Sequence, residues 1–157
     1  SSDLKAELMA GANVTNDYTG DRGNFDNRVG AGCVNLSRSA YHSYDHEYWV
    51  TSGGQPNGTV DEYDIYLSKG DSISVALAWN IIKASESTSA AYLTDYDIRI
   101  INTGISSYPH SATRFSNVEL VRYTAEVSGT YRITIYQDGS MNSNNTNGDR
   151  IYYTINR

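Results

Sequence analysis

Few residues in this 157-residue chain have the type and spacing to do chemistry, and each group implies a different one. The histidines are His42, His46 and His110. A hydrolytic role would set one of them beside a nucleophile and an aspartate, yet no G-x-S-x-G turn exists to present a serine. The nearest fragment, DGSMNSN around Ser140, is a polar low-complexity stretch without strand-to-helix context. Cys33 is the single cysteine, so no intramolecular disulfide forms. Flanked by Val34 and Leu36 in GAGCVNL, it reads as a small buried apolar side chain rather than a nucleophile. No catalytic residue is expected in the chain.

Carboxylates two apart are the next group: Glu62 and Asp64, with Asp61 adjoining, and Asp95 and Asp97. On a strand such pairs point to one face and could share a calcium ion at a strand end; the competing reading is a solvated face or charge that guards a sheet edge. Calcium is the one cofactor these residues suggest, and none is required. Asp17, Asp21 and Asp26 lack the D-x-D-x-D-G spacing of a calcium loop. Tyr66, Tyr136 and Tyr152 fall opposite the apolar sets of their strands and are the candidates for a binding surface. Cross-strand packing is the plainer account of them. Trp49 extends the aromatic set, whereas Trp79 is in phase with Ile73, Val75 and Leu77 and reads as core. No C-x-x-C or P-loop pattern occurs, and neither structural zinc nor a nucleotide site is expected.

The elements that must position these residues change character along the chain. Residues 3–10 predict a short helix, capped by Ser2 or Asp3, with Leu4 and Leu8 on one face and Gly11 at its end. Residues 13–31 are loop by composition, and a second helical turn over 34–41 carries Leu36 and Ala40 at i, i+4. From about residue 46 the period is two. Ile73, Val75, Leu77 and Trp79 alternate with Ser72, Ser74, Ala76 and Ala78, and Tyr131, Ile133 and Ile135 alternate with Arg132 and Thr134. Similar runs around 63–67, 96–100, 121–127 and 151–155 give about seven half-buried antiparallel strands, one face on a core and one in water. The expected fold is mainly β, an antiparallel jelly-roll-like β-sandwich with a short helical N-terminal segment. SKGD at 68–71 and VSGT at 127–130 suit hairpin or sheet-to-sheet turns, and 80–94 and 138–149 are long loops.

A net charge of -6 argues against nucleic acid or an anionic membrane as partner. No run of 18 apolar residues predicts a membrane span, and the first residues lack the layout of a signal peptide. The N-x-S/T triplets at Asn13, Asn35, Asn57 and Asn144 are what an Asn- and Ser/Thr-rich chain produces by chance.

Two stretches of the helical preface carry a resemblance. DLKAELMAGA resembles the segment that follows the catalytic-serine helix in subtilisin-like serine proteases, and RVGAGCVNLSRSA (28–40) resembles the stretch with which their catalytic domains finish. The remainder is similar to the β-sandwich that many secreted members carry next. The resembling pieces are YDIYLSKGDSISVALAWN (63–80), TDYDIRIIN (94–102), FSNVELVRYTAEVSGTYRITIY (115–136) and the closing strand. The match runs through nearly the whole chain in order, and its specificity lies in the succession of motifs.

The resemblance implies that residues 1–42 are the tail of a subtilase catalytic domain and residues 46–157 a β-sandwich domain. The Asp, His and Ser motifs of the family all lie upstream of such a segment, so no catalytic role carries over to any position here. The implied protein is the non-catalytic C-terminal region of a secreted or cell-surface, bacterial serine endopeptidase. It would brace the catalytic domain of the same polypeptide or shape access of protein substrate. Leu4, Leu8, Met9 and Val34 should then pack partly on that domain. An extracellular adhesion or carbohydrate-binding module is the alternative from another class, and would need an aromatic platform on an outer sheet face.

Overall fold

The computed structural model describes residues 2–13, 31, 33–40, 44–50, 58–79, 94–104, 109–111, 117–139 and 149–157. Within them lie two helices, α1 (Ser2–Gly11) and α2 (Leu36–Ala40). The strands are β1 (Tyr44–Val50), β2 (Gly58–Leu67), β3 (Ser72–Trp79), β4 (Asp95–Ile101), β5 (His110–Ser111), β6 (Val118–Thr124), β7 (Gly129–Asp138) and β8 (Asp149–Asn156). They form two four-stranded antiparallel sheets, β1-β8-β3-β6 and β2-β7-β4-β5, so the fold is mainly β as the alternation predicts. No helix among the described residues is long and apolar enough to cross a membrane. The expected loops at 80–94 and 138–149 fall almost wholly outside the described residues, as do His42, Ser140 and Asp17, Asp21 and Asp26.

The period-two pattern sorts side chains between faces. Ile73, Val75, Leu77 and Trp79 from the first sheet meet Tyr96, Ile98, Ile100, Ile133 and Ile135 from the second, all essentially inaccessible. Each such side chain contributes about 1.5–3 kcal/mol by leaving water. Trp79 is core, as its phase predicts, with its ring edge-on to Tyr96 at 5.2 Å between centroids.

The two Gly-bearing turns carry the chain between sheets rather than closing hairpins: 68–71 joins β2 to β3, and 125–128 joins β6 to β7. They lie side by side, because Gly70 N–H donates to Ala125 O and Ala125 N–H donates to Asp71 O, both at 2.8 Å. Gly70 has φ +92°, a left-handed conformation that a side chain would strain. Tyr131, at the start of β7, donates its hydroxyl to Val127 O at 2.8 Å and pins the second crossing.

The helical preface departs from expectation in how it packs. The outer face of β3, expected in water, is covered: Ala76 and Ala78 are fully buried with Leu120 beneath Ala6, Met9 and Ala10 of α1. Alanines on both surfaces let a helix backbone lie close to the sheet, which leucines would hold away. The face that docks is therefore Ala6-Met9-Ala10, at i, i+3, i+4, not the expected Leu4-Leu8 pair. Leu4 is 52% exposed. In α2 likewise Leu36 and Ala40 face solvent and Ser39 is the buried residue. Asn35 caps that turn, its side-chain oxygen accepting from Arg38 N–H at 3.0 Å. Cys33 is exposed rather than buried, because its backbone is the part that is used: Asn13 and Cys33 exchange N–H···O bonds at 2.9 and 3.0 Å.

Candidate functional site

β1 and β2 are edge strands of different sheets, and their inward side chains meet along the seam between them. Tyr44 and Tyr63 stack across this seam with centroids 3.9 Å apart. Next to the pair, His46 Nδ1 lies 3.0 Å from Asp61 Oδ2, and Tyr153 of β8 donates its hydroxyl to the same oxygen at 2.8 Å. Tyr44 Oη is 2.7 Å, and Tyr153 Oη 3.3 Å, from His46 Nδ1. Burial raises the Tyr153 phenol above its ordinary range, and the hydrogen bond to Asp61 adds to it. Tyr44 is raised too, first by burial and then by the Asp61 charge.

Asp61 reaches this seam by strand alternation, two residues before Tyr63 and four before Ile65 on the same face of β2. Register shifts between Thr59 and Asp61 against β7, so a bulge at Val60 lies just ahead of it. The carboxylates grouped in the sequence as Asp61, Glu62 and Asp64 are therefore divided between two faces. Glu62 and Asp64 lie on the outer face against Arg132, which reaches Glu62 at 3.1 Å and makes two bonds to Asp64 at 2.7 and 2.9 Å. That fork holds the Asp64 carboxyl below the usual range.

Asp95 and Asp97 do share a face, the outer face of β4, and Asp138 of β7 is the cross-strand partner of Asp95. Asp97 is 5% exposed; burial raises its carboxyl above the ordinary range, and the Asp95 charge adds to this while Arg99, 3.5 Å away, opposes it. The Arg99 guanidinium also lies over the ring of Tyr136, 3.7 Å from its centroid.

The three tyrosines named as binding candidates do not form one surface. Tyr66 and Tyr136 lie on the outer face of the second sheet, six register positions apart along β2 and β7, where Tyr66 opposes Thr130 and Tyr136 opposes Thr59 and Asp97. Tyr152 lies in the first sheet, opposite Glu47 and Ala78. Tyr66 is 61% exposed, while Arg99 already covers one face of Tyr136. Tyr152 instead lines a cleft of about 290 Å³ between α1 and the β1 edge, with Glu7, Asp45, Glu47 and Thr154. Arg150 spans this region, 2.9 Å from Glu47.

No family model matches the chain, and no curated protein does.

The seam cluster was not anticipated from the sequence. Its signal was available in HSYDHEYW, where tyrosine and histidine share one phase of a strand, and in the oddity of an aspartate, Asp61, in phase with Tyr63, Ile65 and Leu67. The contact between His46 and Asp61 depends on two edge strands from different sheets meeting, and no local rule conveys that.

Proposed function

We propose that the chain is the non-catalytic C-terminal region of a secreted subtilisin-like serine endopeptidase. In this reading α1 and α2 finish the catalytic domain, and the sandwich, which we read as jelly-roll-like, braces it or shapes access of protein substrate. The observation that carries the reading is the double character of the preface: it is docked on the sandwich through alanines, yet turns Leu4, Val34 and Leu36 to solvent at 52%, 63% and 69% exposure. These are three of the few large apolar side chains so exposed among the described residues, and they cluster on the segment that resembles the end of a catalytic domain. Met9, also expected against that domain, is instead buried on the sandwich.

Docking on the sandwich is by specific bonds as well as by packing. Arg122 of β6 donates to Ala12 O at 3.3 Å and to Ala31 O at 2.5 Å. Asn156 of β8 donates to Arg38 O at 2.6 Å and accepts from Arg38 Nε at 3.0 Å. A force or fluctuation in the upstream domain would thus be transmitted to the first sheet. The test is to read the coding sequence upstream of Ser1. A Gly-Thr-Ser helix directly before α1 supports the reading; a start codon or an unrelated domain there sinks it. Labelling of this chain at any serine by a phosphonate probe would also contradict it.

A further inference from the structure

We propose that His46, Asp61, Tyr44 and Tyr153 form a binding site for a hard trivalent cation, ferric iron, at the seam between the two sheets. The proposal is independent of the protease reading.

Three oxygens converge on one imidazole nitrogen: Tyr44 Oη at 2.7 Å, Asp61 Oδ2 at 3.0 Å and Tyr153 Oη at 3.3 Å. A ring nitrogen has one proton or one lone pair to offer, so it can serve only one of them as a hydrogen-bond partner. Two of the oxygens are also close to each other, with Tyr153 Oη 2.8 Å from Asp61 Oδ2. Ligands held about 2.0–2.1 Å from a tetrahedral ion are separated by about 3.3 Å. The separations of 2.7, 2.8, 3.0 and 3.3 Å lie at or below that spacing, so an ion would part the atoms by a few tenths of an ångström as it replaces the hydrogen bonds between them.

The donors select the ion. One neutral imidazole, one carboxylate and two phenolates bring three negative charges, which a trivalent ion cancels inside a partly desolvated seam, whereas a divalent ion leaves one uncompensated. An oxygen-rich set without thiolate disfavours soft cations, and imidazole suits iron better than calcium or magnesium. Binding releases the two phenolic protons to solvent, and the remaining ring proton of His46 sits on Nε2 so that Nδ1 can ligate. Access is open from the strand edge, with the His46 side chain 33% and Asp61 18% exposed. The ligands are held in place by their neighbours: Tyr63 stacks on Tyr44, and the His46 ring rests against Tyr153 at 5.5 Å between centroids. Among the described residues no three His, Cys, Asp or Glu side chains gather as a metal group; here the phenols complete the set.

The experiment titrates the chain with ferric nitrilotriacetate and follows visible absorption. The expected result is a phenolate-to-iron charge-transfer band that saturates at one iron per chain. Tyr44→Phe and Tyr153→Phe each weaken it at least severalfold, and the double variant abolishes it. Tyr63→Phe, which keeps the stacked ring, retains the band, and circular dichroism reports that each variant keeps its strands. Should a phenol variant lose its strands, Asp61→Asn takes its place and is expected to weaken iron binding at least tenfold. No band at saturating iron, uptake without colour, or a band that survives the double variant each overturns the proposal.

Discussion

The first sheet has two buried faces built on opposite principles. Its inner face is filled by large side chains, Ile73, Val75, Leu77 and Trp79, that interdigitate with the second sheet. Its outer face carries Ala76, Ala78 and Leu120 under Ala6, Met9 and Ala10 of a ten-residue helix. A helix of that length is marginal alone, so its order depends on the sheet. The large-residue layer stabilises by area removed from water; the small-residue layer contributes less area and gains its specificity from close backbone approach. One sheet therefore serves both a permanent core and a shallower joint with the preceding segment.

The difference can be broken most sharply from the inner side. Trp79→Ala removes the largest buried side chain of β3 and should cost about 3–5 kcal/mol in chemical denaturation, with all strands lost in one transition. A cost below about 1 kcal/mol would mean the inner layer is not the main source of stability.

Next in size is Gly11→Ala, whose sign separates the two layers. In a solvated helix this change stabilises by about 1 kcal/mol. Here the new Cβ would stand 2.5 Å from Ser39 N and 2.6 Å from Ser39 Cα, backbone atoms of α2 that cannot rotate aside. A loss of about 1–3 kcal/mol is expected, with α1 and α2 displaced and the sandwich intact by near-ultraviolet circular dichroism. A stabilised variant would show that the two helices do not meet as described.

How far the sequence conveys the two layers follows from this contrast. The inner layer was legible because period-two alternation is a local pattern and large apolar residues have one place to go. The outer layer was misread because alanine is ambiguous: on a strand it passes for the solvent face, and on a helix the eye follows Leu4 and Leu8. Only Ala6 and Ala10 considered together with Ala76 and Ala78 reveal the close approach. The seam at Tyr44, His46, Asp61 and Tyr153 was hidden for a related reason, since its members come from three strands of two different sheets. The carboxylate pairs were legible as pairs, but not the arginines beside them, Arg132 at Glu62 and Asp64 and Arg99 at Asp97.

A smaller effect concerns the second sheet's outer face, which no helix among the described residues covers. Asp97 has its carboxyl raised above the ordinary value, about 3.9, by burial and then by Asp95. The folded chain then holds a proton that the unfolded chain releases. This group's contribution is fully present below the ordinary aspartate value and is lost as pH rises through the raised folded value. Asp97→Asn should leave the denaturation midpoint at pH 7 unchanged or higher and flatten its pH dependence in that window. A clearly lower midpoint at pH 7 would show that the charged form is stabilising.

The smallest expected effect on stability is the most telling for function. Changing Leu4, Val34 and Leu36 together to Ser should alter the stability of the chain by no more than about 0.5 kcal/mol per site, since all three face solvent. On the proposal that a catalytic domain precedes α1, the same triple change made with that domain attached should destabilise by several times more.

Amide hydrogen exchange tests the proposed joint most directly, by comparing this chain with the same chain joined to the catalytic domain proposed to precede it. Protection at residues 3–11 and 33–40 is predicted to rise when that domain is present, while the amides of β3 and β4 stay as they were. Equal protection of the helical segment in the two forms would contradict the account.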